Sequence, residues 1–265
     1  AVSRRRTESR QLARYAAYLD RVTGLLGGHK ATLIAALQLA PGEAALDVGC
    51  GTGGDVLAME RIVGPSGRAV GVDASAEMIA EAKRRAAGGG SRAEFFVCSA
   101  EALDLPAASF DAARSERVLM HVADPLRVLR EIWRVLRPGG RLVCSEPDHQ
   151  MSAIAADDGA LADCVFRGLN ALTKSRRVGR ELLGLFAAAG FSEVEVTVEP
   201  LVITSLAQFW AGSVSGPEEF VEIAASLRLA SEPQLRALLA DWEARDARGA
   251  FFACLVGMCA RGVRR

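Results

Sequence analysis

Net charge is the first thing this chain lacks. Thirty-two Lys and Arg stand against thirty-two Asp and Glu over 265 residues, so there is no general electrostatic pull toward nucleic acid or an anionic membrane. Lysine is scarce: Lys30, Lys83 and Lys174 are the only ones, and the other positive charges are arginines in an Ala-, Gly- and Leu-rich background. That usage is associated with GC-rich bacterial genomes. The six cysteines form no C-x-x-C pair, and four lie in apolar or small-residue runs suited to a core. A reduced, cytoplasmic setting is the expectation. No apolar run approaches the roughly twenty residues of a membrane-spanning helix, and residues Phe251 to Ala260 suit a buried strand instead. The basic segment SRRRTESR leads into an amphipathic stretch rather than an apolar signal core.

What is present is enough apolar material, 50% of residues, for one large α/β domain with additions. From Glu8 to Leu26, apolar and aromatic residues recur at steps of three or four, the period of one helix face. Gly27-Gly28 is expected to end that helix, and Lys30 to Leu39 forms a second. Strands are then expected at residues 44–48, 68–72, 94–98, 110–114, 141–146, 191–204 and 251–261, with helices between the first five except at the loop 99–109 that joins the third to the fourth. Pro138-Gly139-Gly140 reads as a tight turn into the fifth strand. The alternation predicts a Rossmann-like, doubly wound, seven-stranded sheet, mostly parallel with an antiparallel last strand. Residues 1–43 supply N-terminal helices forming a lid, and 151–178 and 205–248 read as helical insertions over the sheet's carboxyl edge.

In such a sheet, ligands bind beyond the carboxyl ends of the strands. The first strand runs into LDVGCGTGGD, residues 46–55, where Gly49, Gly51 and Gly53 remove Cβ atoms that would keep a ligand from the main chain. The spacing is G-x-G-x-G and not the dinucleotide fingerprint G-x-G-x-x-G. About twenty residues further on, Asp73 ends the second strand, where a carboxylate can accept both hydroxyl hydrogens of a ribose. Ser75 is a plausible N-cap for the next helix. Ser99 to Ala102 and Arg114 to Glu116 stand at the third and fourth strand ends.

On these residues the stretch 44–146 resembles the core of the class I S-adenosylmethionine-dependent methyltransferases, of the small-molecule, type-11-like kind. LDVGCGTG is similar to the first motif, GVDAS to the second, AEALDLPAASFDA to the third, and EIWRVLRPGGRLVCSEP to the helix, turn and strand that follow. The resemblance implies S-adenosylmethionine as cofactor and S-adenosylhomocysteine as product. It places Gly49, Gly51 and Gly53 along methionine and ribose, with Asp47 near the amino group and Asp73 on the ribose hydroxyls. Ala74 and Met78 would contact the adenine face, and Ala100 and Glu101 its edge. Ser99 stands where such families usually carry aspartate, so adenine recognition would rest on neighbouring backbone. Arg114 and Ser115 would face the methionine end. His121 matches a histidine frequent in small-molecule members and is a general base, a polar pocket wall or a helix-start residue bonded to backbone. Glu116 either orients substrate or pairs with Arg114 or Arg117.

Outside the core the residues say less. Tyr15 and Tyr18 either cover the cofactor or pack. Glu146, Asp148 and His149 end a strand facing the site and are base candidates, or metal ligands of weak spacing; no metal is expected. Lys174, Arg176, Arg177 and Arg180 could grip an acidic substrate or form a solvated helix face. Phe209 and Trp210 wall a pocket or pack a core. The leading expectation is methyl transfer to an O, N or C nucleophile of a small molecule such as a secondary metabolite. The alternative is a cofactor-binding cyclase or non-transferring module. RNA or protein methylation and nicotinamide chemistry are disfavoured. No nucleic-acid or membrane partner is expected, and the chain should be a monomer or homodimer.

Overall fold

The computed structural model describes residues 17, 18, 20, 21, 24, 27–169, 173–213 and 215–265. Tyr15 and most of the N-terminal amphipathic stretch lie outside them. The chain divides into two compact units. One comprises Gly28–Glu146, Val178–Val198 and Met258–Arg265, and the other Ala1–Gly27, Pro147–Arg177 and Glu199–Gly257.

The first unit is the predicted α/β core. It contains α1 (Gly27–Ala36, from Gly28 on), β1 (Ala44–Val48), α2 (Gly54–Val63), β2 (Arg68–Asp73), α3 (Ala76–Gly88), β3 (Glu94–Val97), β4 (Phe110–Glu116), α4 (Pro125–Val135), β5 (Leu136–Pro147) and α6 (Val178–Ala189). Strands β7 (Phe191–Ile203) and β8 (Ala253–Arg264) run through both units. The sheet order is β3-β2-β1-β4-β5-β8-β6, with β7 pairing with β8. β1 is parallel to β2 and β4, β2 to β3, and β4 to β5. Strand order thus reverses between β1 and β4, which creates the switch-point crevice at their carboxyl ends.

Alternation along each strand makes the sheet two-faced. Ala44, Leu46 and Val48 of β1, Ala113 of β4, and Leu142 and Cys144 of β5 pack in one cluster with Leu129 and Ile132 of α4 and Leu182 and Phe186 of α6. Ala45, Ala112 and Val143, one residue out of phase, pack with Leu33 and Leu37 and with Met59 and Val63 of α2. Helices on both faces explain why β1 is buried throughout. Helix α4 starts where Asp124 accepts a hydrogen bond from the Arg127 amide at 3.0 Å and Pro125 fixes the first turn. Ser75 caps α3 through the Met78 amide at 3.2 Å, as its position predicts.

The other unit is mainly helical. It holds β6 (Ala153–Ile154), α5 (Gly159–Leu169), α7 (Leu206–Ala211), α8 (Pro217–Ser226) and α9 (Glu232–Ala247). Its core joins Ile154, Val165, Ile203, Phe209, Phe220, Leu235, Trp242 and Phe251.

Three local expectations change. The sheet has eight strands rather than seven, because Ala153 and Ile154 pair antiparallel with Cys254 and Ala253. Gly27 and Gly28 do not stop a helix but lie in α1, since glycine lowers helix stability without forbidding it. Pro138-Gly139-Gly140 is an irregularity inside β5 rather than a turn before it. There the register on β4 slips between Phe110 and Ala112, and Gly139 takes φ 80°.

Candidate active site at the strand ends

The turn after β1 is built from left-handed glycines: Gly49, Gly51 and Gly53 have φ of 78°, 52° and 81°. At two of the three positions the fold itself also demands glycine. A Cβ on Gly49 would lie 2.2 Å from Val118 Cγ2, and one on Gly53 would lie 2.6 Å from Phe95 Cε1. Their missing side chains make room for the protein's own packing. The turn is held by the Gly49 and Cys50 amides, which both donate to the Val72 carbonyl at 2.8 and 3.0 Å.

Asp73, at the end of β2, receives the Gly51 amide on Oδ2 at 3.0 Å and the Ser75 amide on Oδ1 at 2.9 Å. Each oxygen keeps acceptor capacity for a further donor. Ala74 beside it is exposed and Met78 is buried. At the end of β3, exposed Ser99 uses its Oγ to accept the Glu101 amide at 3.2 Å. The Glu101 carboxylate accepts the Asp124 amide at 2.9 Å, so it fixes the approach to α4. Ala100 is half-buried between them.

The end of β4 carries a buried ionic network. Register places Asp47 of β1 opposite Arg114 and Val48 opposite Ser115. Arg114 lies 3.1 Å from Asp47, 2.7 Å from Asp55 and 2.5 Å from Glu116. Lys30 of α1 reaches Asp55 at 2.6 Å and Glu116 at 2.8 Å. The Arg114 and Asp47 side chains are each 2% exposed. Burial opposes the Arg114 cation, but Asp47, Asp55 and Glu116 outweigh it and raise its pKa. Burial likewise opposes the Glu116 carboxylate, yet Arg114, Lys30 and Arg117 bring it down to about 2. Glu116 therefore stays an anion held between cations. Burial pushes Asp47 up to about 7 against the pull of Arg114.

At the end of β5, Glu146 is 1% exposed. Its carboxylate accepts three successive amides, from Val118 at 2.8 Å, Leu119 at 2.7 Å and Met120 at 3.2 Å. These amides open the 3₁₀ turn Leu119–His121. Exposed His121 closes that turn, its amide donating to the Val118 carbonyl at 2.9 Å. His149, Asp148 and Tyr18 belong to the other unit. The His149 amide donates to the Arg176 carbonyl at 3.3 Å, Asp148 is fully buried and Tyr18 is half-buried. Among the described residues no group of three or more His, Cys, Asp or Glu could hold a metal ion, and no helix is long and apolar enough to cross a membrane.

Lys30, Asp55 and Val118 escaped the sequence reading. Asp55 directly follows the glycine turn and could have been found there. Lys30 and Val118 act across gaps of 86 and 69 positions, to Glu116 and Gly49, and carry no local signal.

Comparison with known proteins settles the family. The family described as Methyltransferase domain matches residues 46–144. Over 242 residues the chain is 37% identical to an uncharacterised 37.1 kDa protein of transposon TN4556 from Streptomyces fradiae, covering 90% of this chain and 68% of that one. This chain belongs to the class I S-adenosylmethionine-dependent methyltransferases. The methyltransferase is also 40% identical over 109 residues to the demethylmenaquinone methyltransferase of Lactococcus lactis. That match covers 41% of this chain and 43% of the relative, so the chain spans less than half the length of that protein. In fold it is similar to the crystal structure of the YcgJ protein from Bacillus subtilis, with a TM-score of 0.62 at 23% identity over 89% of this chain and 97% of that one.

The strand ends of the methyltransferase fit its cofactor, S-adenosylmethionine. Ser115 Oγ and Arg114 Nε are buried at the end of β4 without a hydrogen-bond partner among the described residues. Buried polar atoms of that kind call for a partner, and Asp73 at the end of β2 keeps acceptor capacity beside the Gly51 and Ser75 amides.

Proposed function

We propose that the methyltransferase transfers the methyl group to an O, N or C nucleophile of a small molecule with apolar character, a secondary metabolite. The observation that carries this reading lies in the helical unit. A cleft of about 500 Å³ there is lined by Ala17, Arg21, Ala207, Trp210, Ser213 and Ser215. That volume matches a small organic ligand, with an aromatic wall and a few polar groups to orient it. Segment 205–248 supplies most of this lining and is assigned to acceptor binding; segment 151–178 is assigned as the second cap, and Tyr18 to covering the cofactor.

The donor side is assigned residue by residue. Asp73 accepts the ribose hydroxyls, Gly49, Gly51 and Gly53 with Asp47 shape the methionine and ribose side, and Arg114 and Ser115 face the methionine end. Met78, Ala74, Ser99, Ala100 and Glu101 border the adenine. Bound S-adenosylmethionine supplies a methyl group already activated by its sulfonium. The protein then has to align an in-line approach and exclude water. Where the acceptor atom must lose a proton, exposed His121 is the residue assigned to take it. Glu116, fixed as an anion between Arg114 and Lys30, is assigned to holding the network rather than to proton transfer. His149 remains a second candidate base, on the helical unit.

Transfer of a labelled methyl group from S-adenosylmethionine into bacterial extracts tests the acceptor class. Label is expected in the solvent-extractable, low-mass fraction, with a loss of at least tenfold in His121→Ala if the acceptor needs deprotonation. Label recovered in precipitated protein or RNA would overturn the small-molecule reading.

A further inference from the structure

We propose that Glu146 is a positioning residue of the methyl-donor site: it fixes the turn after β4 and, through Val118, the shape of the glycine turn after β1. Three links carry this. The first is the convergence of the Val118, Leu119 and Met120 amides on one buried carboxylate, within 2.7–3.2 Å. The opening amides of a helical turn have no partner within it, and Glu146 supplies all three with an acceptor across 26 to 28 residues of chain.

The second link is steric. The residue whose amide Glu146 holds, Val118, places Cγ2 where a Gly49 side chain would begin, 2.2 Å from the ideal Cβ position. The Gly49 backbone therefore rests on a methyl group whose position Glu146 sets. The third link is the glycine turn's own hydrogen bonding. Gly49 and Cys50 share the Val72 carbonyl, and the Gly51 amide holds the Asp73 carboxylate at 3.0 Å. Displacing Val118 would relax the turn and with it the aspartate assigned to the ribose.

Glu146 ends a strand that faces the site, and in sequence that made it a base candidate. In the structure three of its acceptor positions are taken by amides and its surface is buried, so it acts through the turn and not on substrate. The charged and titratable groups that bear on it are Arg117, which favours the carboxylate, and Cys144 of the same strand. The same turn ends in His121, so Glu146 also sets where that residue stands.

The proposal rests on the donor site and not on the identity of the acceptor. It is tested by titrating S-adenosylhomocysteine into the full chain at pH 8 by calorimetry. Glu146→Gln keeps the size but points an amide group at an amide N–H, and about a tenfold loss of affinity is expected in the folded variant. Gly49→Ala should lose more. The double variant Gly49→Ala/Val118→Ala should recover part of that loss, because the clashing Cγ2 is gone while the strain of alanine at φ 78° remains. Hydrogen exchange of the wild-type chain reads the same coupling without substitution, since linkage is reciprocal. Ligand should slow exchange at residues 118–120. Unchanged affinity in folded Glu146→Gln, no recovery in the double variant, or exchange at 118–120 indifferent to ligand would each overturn the proposal. If the wild-type chain binds no S-adenosylhomocysteine, the donor-site reading fails first.

Discussion

At the ends of β1 and β4, Lys30, Asp47, Asp55, Arg114 and Glu116 converge in the interior of the α/β unit. In the helical unit the largest buried group is instead Trp242, packed against Phe209 and Phe220 with both ring centroids at 5.5 Å. Ion pairs such as Arg236 with Glu218 and Glu232 sit there on side chains more than half exposed. A buried ionic network is costly to desolvate and holds its members in one geometry only when every member is present. An aromatic core gains from burial whatever its detailed order. The first arrangement suits a fixed cofactor, and the second suits the unit proposed above to take the acceptor.

The largest effect is expected from Arg114→Met, which removes the cation 3.1 Å from buried Asp47 and leaves Glu116 to Lys30 and, at 3.5 Å, Arg117. Breaking a buried pair from one side costs about 3–5 kcal/mol, measured as a shift in chemical-denaturation midpoint. Trp242→Ala should cost about 3–4 kcal/mol by the cavity it leaves. Its S-adenosylhomocysteine affinity should nevertheless stay within about threefold of wild type. A large loss of donor affinity in Trp242→Ala would erase the contrast between the units.

A pH series sharpens the contrast further. Burial raises Glu146 from an ordinary 4.5 to about 7, despite the three amides that pull it down. Its folded pKa lies above its unfolded one, so its contribution to stability is full below about 4.5 and is lost as pH rises through 7. Glu116, lowered to about 2, works in the opposite sense: its contribution is present above 4.5 and lost as pH falls toward 2. The stability penalty of Glu146→Gln should therefore shrink between pH 5 and pH 8, and a constant penalty would contradict the buried carboxylate. The smallest effect belongs to Arg236→Ala, at most about 0.5 kcal/mol, because exposed pairs gain little.

The α/β unit was legible because its polar residues sit at strand ends, where composition breaks sharply from the apolar run before them. Asp47, Gly49, Asp73 and Arg114 are each such a break. What could not be read was why the glycines are glycines, since Val118 and Phe95 meet Gly49 and Gly53 only in three dimensions. Glu116 and Glu146 read alike in sequence, as acids ending strands, yet one is pinned by cations and the other by amides. The helical unit was read only coarsely. Phe209 and Trp210 are compatible with both a core and a pocket, and the structure buries Phe209 against Trp242 and places Trp210 on the cleft.

The most direct measurement is calorimetric titration of S-adenosylhomocysteine into the wild-type chain and Asp73→Ala. Two hydrogen bonds from ribose hydroxyls to a carboxylate together contribute about 2–3 kcal/mol, so one-to-one binding should weaken about 30- to 150-fold in the variant. A wild-type chain that does not bind, or a variant that binds as well as wild type, would contradict the donor site at these strand ends.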